Sequence, residues 1–101
     1  MKTGIEIISE ERQRQILVEG WTYEHDDRHF KGDLAAAANE YVFYAACQSA
    51  LKEDIIKNYI PAYWPWETEL WKPSDNPIRN LAKAGALIAA EIDRLQRLKE
   101  K

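Results

Sequence analysis

A chain of 101 residues, 46% hydrophobic and 31% charged, has the composition of one globular domain and is too short for two lobes with a cleft between them. Its apolar runs fall far below the length of a membrane span, and its net charge of −3 repels a polyanion unless Lys and Arg gather on one face; membrane insertion and duplex nucleic acid are therefore not expected. The single Cys47 excludes an intrachain disulfide and a cysteine metal cluster, and no apolar leader follows Met1-Lys2-Thr3, so the expected location is a reducing cytoplasm.

Taken in chain order, Ser9 followed by Glu10 and Glu11 predicts a helix start. A hydroxyl accepts from free backbone N–H groups, and acids favour the positive end of the helix dipole. Gly20 ends this helix. Its apolar stripe, Ile8, Arg12 and Ile16, is weak, so the helix should depend on docking and leave a polar face for other work.

Residues 19–29, Glu-Gly-Trp-Thr-Tyr-Glu-His-Asp-Asp-Arg-His, crowd aromatics, acids and both histidines behind one glycine. His25 and His29 stand four apart, and on a helix they would share a face that can bind a metal. Gly20 and the aspartates predict loop backbone instead, which disfavours that site. The His25–His29 portion is then either a ligand contact or a turn that caps the next helix.

Asp33 is placed to cap a second helix, from Leu34 to about Lys52. Four successive alanines give it high propensity, and Leu34, Ala37, Ala38, Tyr41, Ala45 and Gln48 follow helical spacing. Phe43, Tyr44 and Cys47 widen its apolar surface, so this central helix should touch neighbours on two sides. Residues 53–75 then gather Tyr59, Tyr63, Trp64, Trp66 and Trp71 with Pro61, Pro65 and Pro73, an ordered loop rather than a linker. Two readings stand side by side. The rings close the open end of a small helical core, or Trp64-Pro65-Trp66 and Trp71-Lys72 stack a planar base and contact a phosphate.

Asn76-Pro77 pairs a capping side chain with proline at the first helical position, and the third helix should run to about Lys99. Ile78, Leu81, Ala82, Gly85, Ile88, Ala89, Ile92 and Leu95 form its predicted inward stripe. Gly85 permits close helix approach, and Arg79, Lys83, Glu91, Asp93 and Arg94 turn towards water. The expected fold is mainly α: one three-helix domain over residues 1–101, with a long aromatic and proline-rich ordered loop between helices two and three.

Catalytic patterns are poorly represented. Cys47 lies on an apolar helical face, Ser9, Ser49 and Ser74 have no evident base, and glycines at 4, 20, 32 and 85 build no phosphate loop. A MazG-like pyrophosphohydrolase needs Glu-Glu-x-x-Glu and a later Glu-x-x-Asp to hold magnesium. Here Arg14 stands at the third acid after Glu10-Glu11, and Phe43 follows Glu40 at the third place. No metal or cofactor is expected.

The segment Arg14-x-Ile16-x-x-Glu19-Gly20-Trp21-Thr22-Tyr23, followed by Asp26-Asp27, His29 and Leu34, resembles the ryanodine-receptor repeat (RyR) domain. That family's core reads approximately Arg-Ile-x-x-Gly-Trp-x-Tyr-Gly, then Asp, Lys, His-Pro and Leu. Asp75-Asn76-Pro77-Ile78-Arg79-Asn80-Leu81 resembles the segment that begins the family's last helix; Glu24 stands at a family glycine and Phe30 at the proline after His29. The wider layout, with Trp71-Lys72-Pro73 and Ala84-Gly85-Ala86-Leu87-Ile88, also looks like small proteins of tailed phages and prophages. These resemblances imply a phage protein that binds a nucleotide-derived signal without cleaving it.

In that reading Trp21 and Tyr23, with Trp64, Trp66 or Trp71, stack a base, and Arg12, Arg14, Lys72, Arg79 or Lys83 neutralise phosphate. Asn80 and His29 donate hydrogen bonds. Asp26 and Asp27 hold ribose hydroxyls or pair with Arg28, and the helix start at Asn76-Pro77 favours Arg79 and Asn80 as phosphate contacts. The competing class is a protein-interaction module whose aromatic loop engages a host protein; a divergent pyrophosphohydrolase is the enzymatic alternative. A homodimer is expected from the polar length of helix three and the ring area of the loop.

Overall fold

Thr3, rather than Ser9, opens the first helix. Its hydroxyl accepts from the Glu6 N–H at 3.2 Å while the Glu6 carboxylate accepts from the Thr3 N–H at 3.1 Å, a reciprocal capping box. The computed structural model describes residues 1–50, 56 and 58–100. It contains helices α1 (Gly4–Leu17), α2 (Tyr23–Asp27), α3 (Asp33–Ala50) and α4 (Pro77–Lys99), with a 3₁₀ turn at Thr68–Leu70 and no strand among the described residues. The mainly helical architecture and the aromatic loop between the second and third long helices are as expected. The predicted continuation of α3 to Lys52 falls outside the described residues.

The stretch after Gly20 departs from its predicted loop backbone. Gly20 takes φ 74°, a conformation that favours glycine, and the Trp21 N–H thereby reaches back to the Gln15 carbonyl at 2.9 Å. Thr22 then caps a new helical turn, its side chain accepting from the His25 N–H and its carbonyl from the Asp26 N–H at 3.0 Å. Aspartates are poor helix-interior residues, but Asp26 is fully buried here against Arg12, at 2.7 Å, and His25, at 3.0 Å. Tertiary pairing overrides the local preference.

Helix α4 packs most extensively on α3, then on α1 and α2. The face it buries is not the predicted one. Asn80, Ala82, Ala84, Ala86, Leu87, Ala90 and Arg94 turn inward, whereas Ile78, Leu81, Ile88, Ile92 and Leu95 stay about half exposed. The reason lies in α3, which offers Leu34, Ala37, Ala38 and Tyr41. Small side chains facing small side chains let the two backbones approach, and the resulting core is Leu34, Ala37, Ala38, Tyr41, Ala84, Leu87 and Ala90. Arg94 and Glu91, expected towards water, form a pair at 2.6 Å with Arg94 buried. Gly85 does permit close approach: a Cβ there would stand 2.6 Å from Ile8 Cδ1 of α1.

Helix α1 is likewise rotated. It buries Glu11 and Gln15 together with part of Ile8, while Ile16 and Leu17 face out. Its polar face is thus the docking face.

Candidate functional site

A cavity of about 140 Å³ opens where α1, α3, α4 and the aromatic loop meet. Helix α1 and the turn after it contribute Glu11, Arg14, Gln15, Glu19 and Trp21; α3 contributes Tyr41; α4 contributes Lys83 and Leu87. The loop supplies the rest of the wall, Trp64, Trp66, Leu70 and Lys72.

The rings brace one another. Trp66 meets Trp64 edge to face at 5.3 Å and Trp21 at 6.3 Å, and Trp64 meets Tyr41 at 5.7 Å. Behind Trp21 the His25 ring stacks at 5.3 Å, nearly parallel. Two indole N–H groups fix the loop: Trp64 donates to the Glu67 carbonyl at 3.0 Å and Trp66 donates to His29 Nδ1 at 3.2 Å.

Charge in the wall is organised around Glu11, which is 3% exposed. Arg14 grips its carboxylate at 2.9 and 3.0 Å, Arg79 bonds the same oxygen as Arg14 Nε, and Gln15 Nε2 lies at 3.4 Å from the other. Burial alone would raise the Glu11 carboxyl, but the hydrogen bonds from Arg14 and Arg79 outweigh it and hold the group below the usual glutamate range. Arg14 also binds Glu19 at 2.9 Å, and its own pKa is raised, chiefly by the bond to Glu11. Lys83 donates to the Lys72 carbonyl at 2.7 Å and sits 5.5 Å from the Tyr41 ring centre. Burial, with the charge of Arg79 next, lowers its pKa.

Of the residues singled out in the sequence, Arg14, Trp21, Trp64, Trp66, Lys72 and Lys83 come together in this wall. Trp71 lies behind it, packed on Tyr41 at 4.7 Å and Trp64 at 5.1 Å, and Arg79 reaches it through Glu11. His29 backs Trp66. The others stand away from the lining: Tyr23 is exposed beside Arg97, at 5.4 Å, and Asp26 is enclosed by Arg12 and His25. Asn80 is a clamp. Its amide donates to Gln48 Oε1 and the Ser74 carbonyl, both at 2.8 Å, and accepts from the Ser74 N–H at 2.8 Å. At the start of α4 the Asn76 side chain takes the Ile78 N–H and its carbonyl takes those of Arg79 and Asn80, so the expected phosphate donors there are occupied.

Glu11, Gln15, Glu19, Tyr41, Leu70 and Leu87 were not singled out as pocket residues from the sequence. The available signal was spacing: Glu11, Arg14 and Gln15 at i, i+3 and i+4 share one helix face. Among the described residues no group of three or more His, Cys, Asp or Glu is placed to hold a metal ion.

Because the folded Glu11 pKa lies below its ordinary value, the stability it contributes is fully present above the ordinary glutamate pKa of about 4.3 and is lost as pH falls through the lower folded value. Glu11→Gln should therefore cost about 2 kcal/mol or more near neutral pH, and the gap to the parent should close on acidification. Urea unfolding over a pH series checks this; a gap that is absent or independent of pH would contradict it. Comparison with family models, curated proteins and solved structures finds no match to this chain.

Proposed function

We propose that this protein binds a nucleotide-derived small molecule without transforming it, seating the base in the cavity walled by Trp21, Tyr41, Trp64 and Trp66. The observation that carries this reading is the combination of four rings with the cations Arg14, Lys72 and Lys83 around one small cavity. Size agrees with one planar ring: about 140 Å³ is near the roughly 150 Å³ of an apolar cavity that holds benzene, too small for a whole nucleotide. Sugar and phosphate would stay at the mouth, within the field of Lys72.

The Gly20-Trp21 element that carries the RyR-like pattern also supplies part of this wall, which supports placing the chain among RyR-like binding modules. In an infected cell a phage protein of this design would sequester a host defence signal in the cytoplasm. A pyrophosphohydrolase reading has less support, since the two lining carboxylates, Glu11 and Glu19, are both bonded to Arg14. Capture of a host protein by the aromatic loop also has less support, because Trp64, Trp66 and Trp71 pack against the core rather than standing clear of it.

A homodimer is the assembly that the exposed face of α4 favours. Ile78, Leu81, Ile88, Ile92 and Leu95 recur at helical spacing on either side of Gly85, where α1 docks, and are about half exposed. A second copy offers the same stripe.

Isothermal titration with mono-, di- and cyclic dinucleotides tests the ligand reading. Binding of at least one is expected, weakened about tenfold or more by Trp66→Ala and by Lys72→Glu; no heat from any of the panel at millimolar concentration would sink it. Light scattering tests the assembly. A mass near twice 11.8 kDa is expected, reverting to one chain in Ile88→Glu, and a parent protein that stays monomeric at every concentration would rule the dimer out.

A further inference from the structure

Among the described residues Lys83 forms no ion pair, although it stands in the wall of the cavity. Its Nζ donates to the Lys72 carbonyl at 2.7 Å and lies 5.5 Å from the centre of the Tyr41 ring, and both of those residues line the same cavity. Lys83 is half-buried and Lys72 exposed, so the amine is not sealed beneath the wall. The two carboxylates of the wall are committed elsewhere, Glu11 to Arg14 and Arg79, Glu19 to Arg14. Burial disfavours the charged form of Lys83, and repulsion from Arg79 and Arg14 exceeds the attraction of Glu11 and Glu19 in turn, so its pKa is lowered. A neutral carbonyl is a partner that an uncharged amine keeps. One N–H still donates to Lys72, and the lone pair is left for chemistry.

We infer that Lys83 is a nucleophilic amine, and that the cavity admits a single-ring aromatic aldehyde with an anionic substituent, which Lys83 captures as a reversible imine. The amine lone pair forms a bond to the aldehyde carbon, and the C=O π pair moves to oxygen. Two nitrogen protons pass in turn to that oxygen, which leaves as water while the C=N bond closes; no oxidant or reductant enters. The class of aldehyde follows from the rest of the wall. About 140 Å³ holds one planar ring, Trp21, Trp64 and Trp66 offer it π surface, and Arg14 and Lys72 favour a negative substituent. This capture goes beyond the noncovalent nucleotide reading and does not depend on it, since it needs only the cavity and Lys83.

The probe is pyridoxal 5′-phosphate, one planar ring with an aldehyde and a phosphate. One equivalent is mixed with the full chain at neutral pH, the imine is fixed with borohydride, and the occupancy of each amine is read by peptide mass spectrometry. Lys83 should carry about tenfold more adduct than any other lysine or the Met1 amine, and Lys83→Arg, which keeps the charge, should lose the imine absorbance. Adduct spread evenly over the lysines, concentrated on another amine or absent altogether would overturn the inference, as would undiminished absorbance in Lys83→Arg. Propanal, trapped in the same way, has no ring to stack, and its preference for Lys83 should be lower by about threefold or more. An unchanged preference would overturn the assignment of an aromatic substrate. Should Lys83→Arg not fold, the mapping in the parent protein alone still decides.

Discussion

The fold and its cavity both depend on one buried carboxylate. Glu11 brings a negative charge from α1 into the angle between α1 and α4, where Arg79 of α4 and Arg14 of α1 converge on it. An unpaired charge there would be expelled; a charge with two guanidinium partners becomes a joint. The pairing explains why α1 docks through its polar face and leaves Ile16 and Leu17 outside. It also explains why Gln15, one turn further on, is buried beside it and why the chain after Gly20 folds back to place Trp21 in the same wall.

The aromatic loop both covers the core and walls the cavity. Its tryptophans cover the core that Leu34, Tyr41, Leu87 and the facing alanines make, and in doing so they enclose a cavity instead of filling it. Trp66 is positioned from both sides, by Trp64 and by the hydrogen bond to His29, so the crowded segment after Gly20 acts on the cavity through Trp21 directly and through His29 indirectly. The Asp26 end of that segment serves the fold, tying α2 to Arg12 of α1.

Helix α4 shows where sequence reading reaches its limit. Asn76-Pro77 and the run to Lys99 carry their own start signal and period, so the extent of the helix was legible. Which face turns inward was not. Two stripes share the same helical period, one of Ile and Leu and one of Ala, and hydrophobicity favours the first. The structure buries the second because α3 presents alanines that reward close approach, a property of the pair and not of either helix. Similarly, Thr3 with Glu6 was a legible capping box, yet Ser9 followed by Glu10 and Glu11 offered a competing start. In the cavity Arg14, Trp21, Trp64, Trp66, Lys72 and Lys83 could be nominated by residue type. Glu11 and Gln15 could not, since burying them requires partners up to 68 positions away in the chain. The Ile and Leu stripe that this arrangement turns outward stays about half exposed.

The claim that the Glu11 cluster joins α1 to α4 is tested most directly by a double-mutant cycle on Glu11→Gln and Arg79→Gln, with the stability of all four proteins taken from urea unfolding at neutral pH. A coupling energy of about 1–3 kcal/mol between the two positions is expected. Additive losses, agreeing within about 0.3–0.5 kcal/mol, would show that Arg79 does not hold Glu11 and that the joint lies elsewhere.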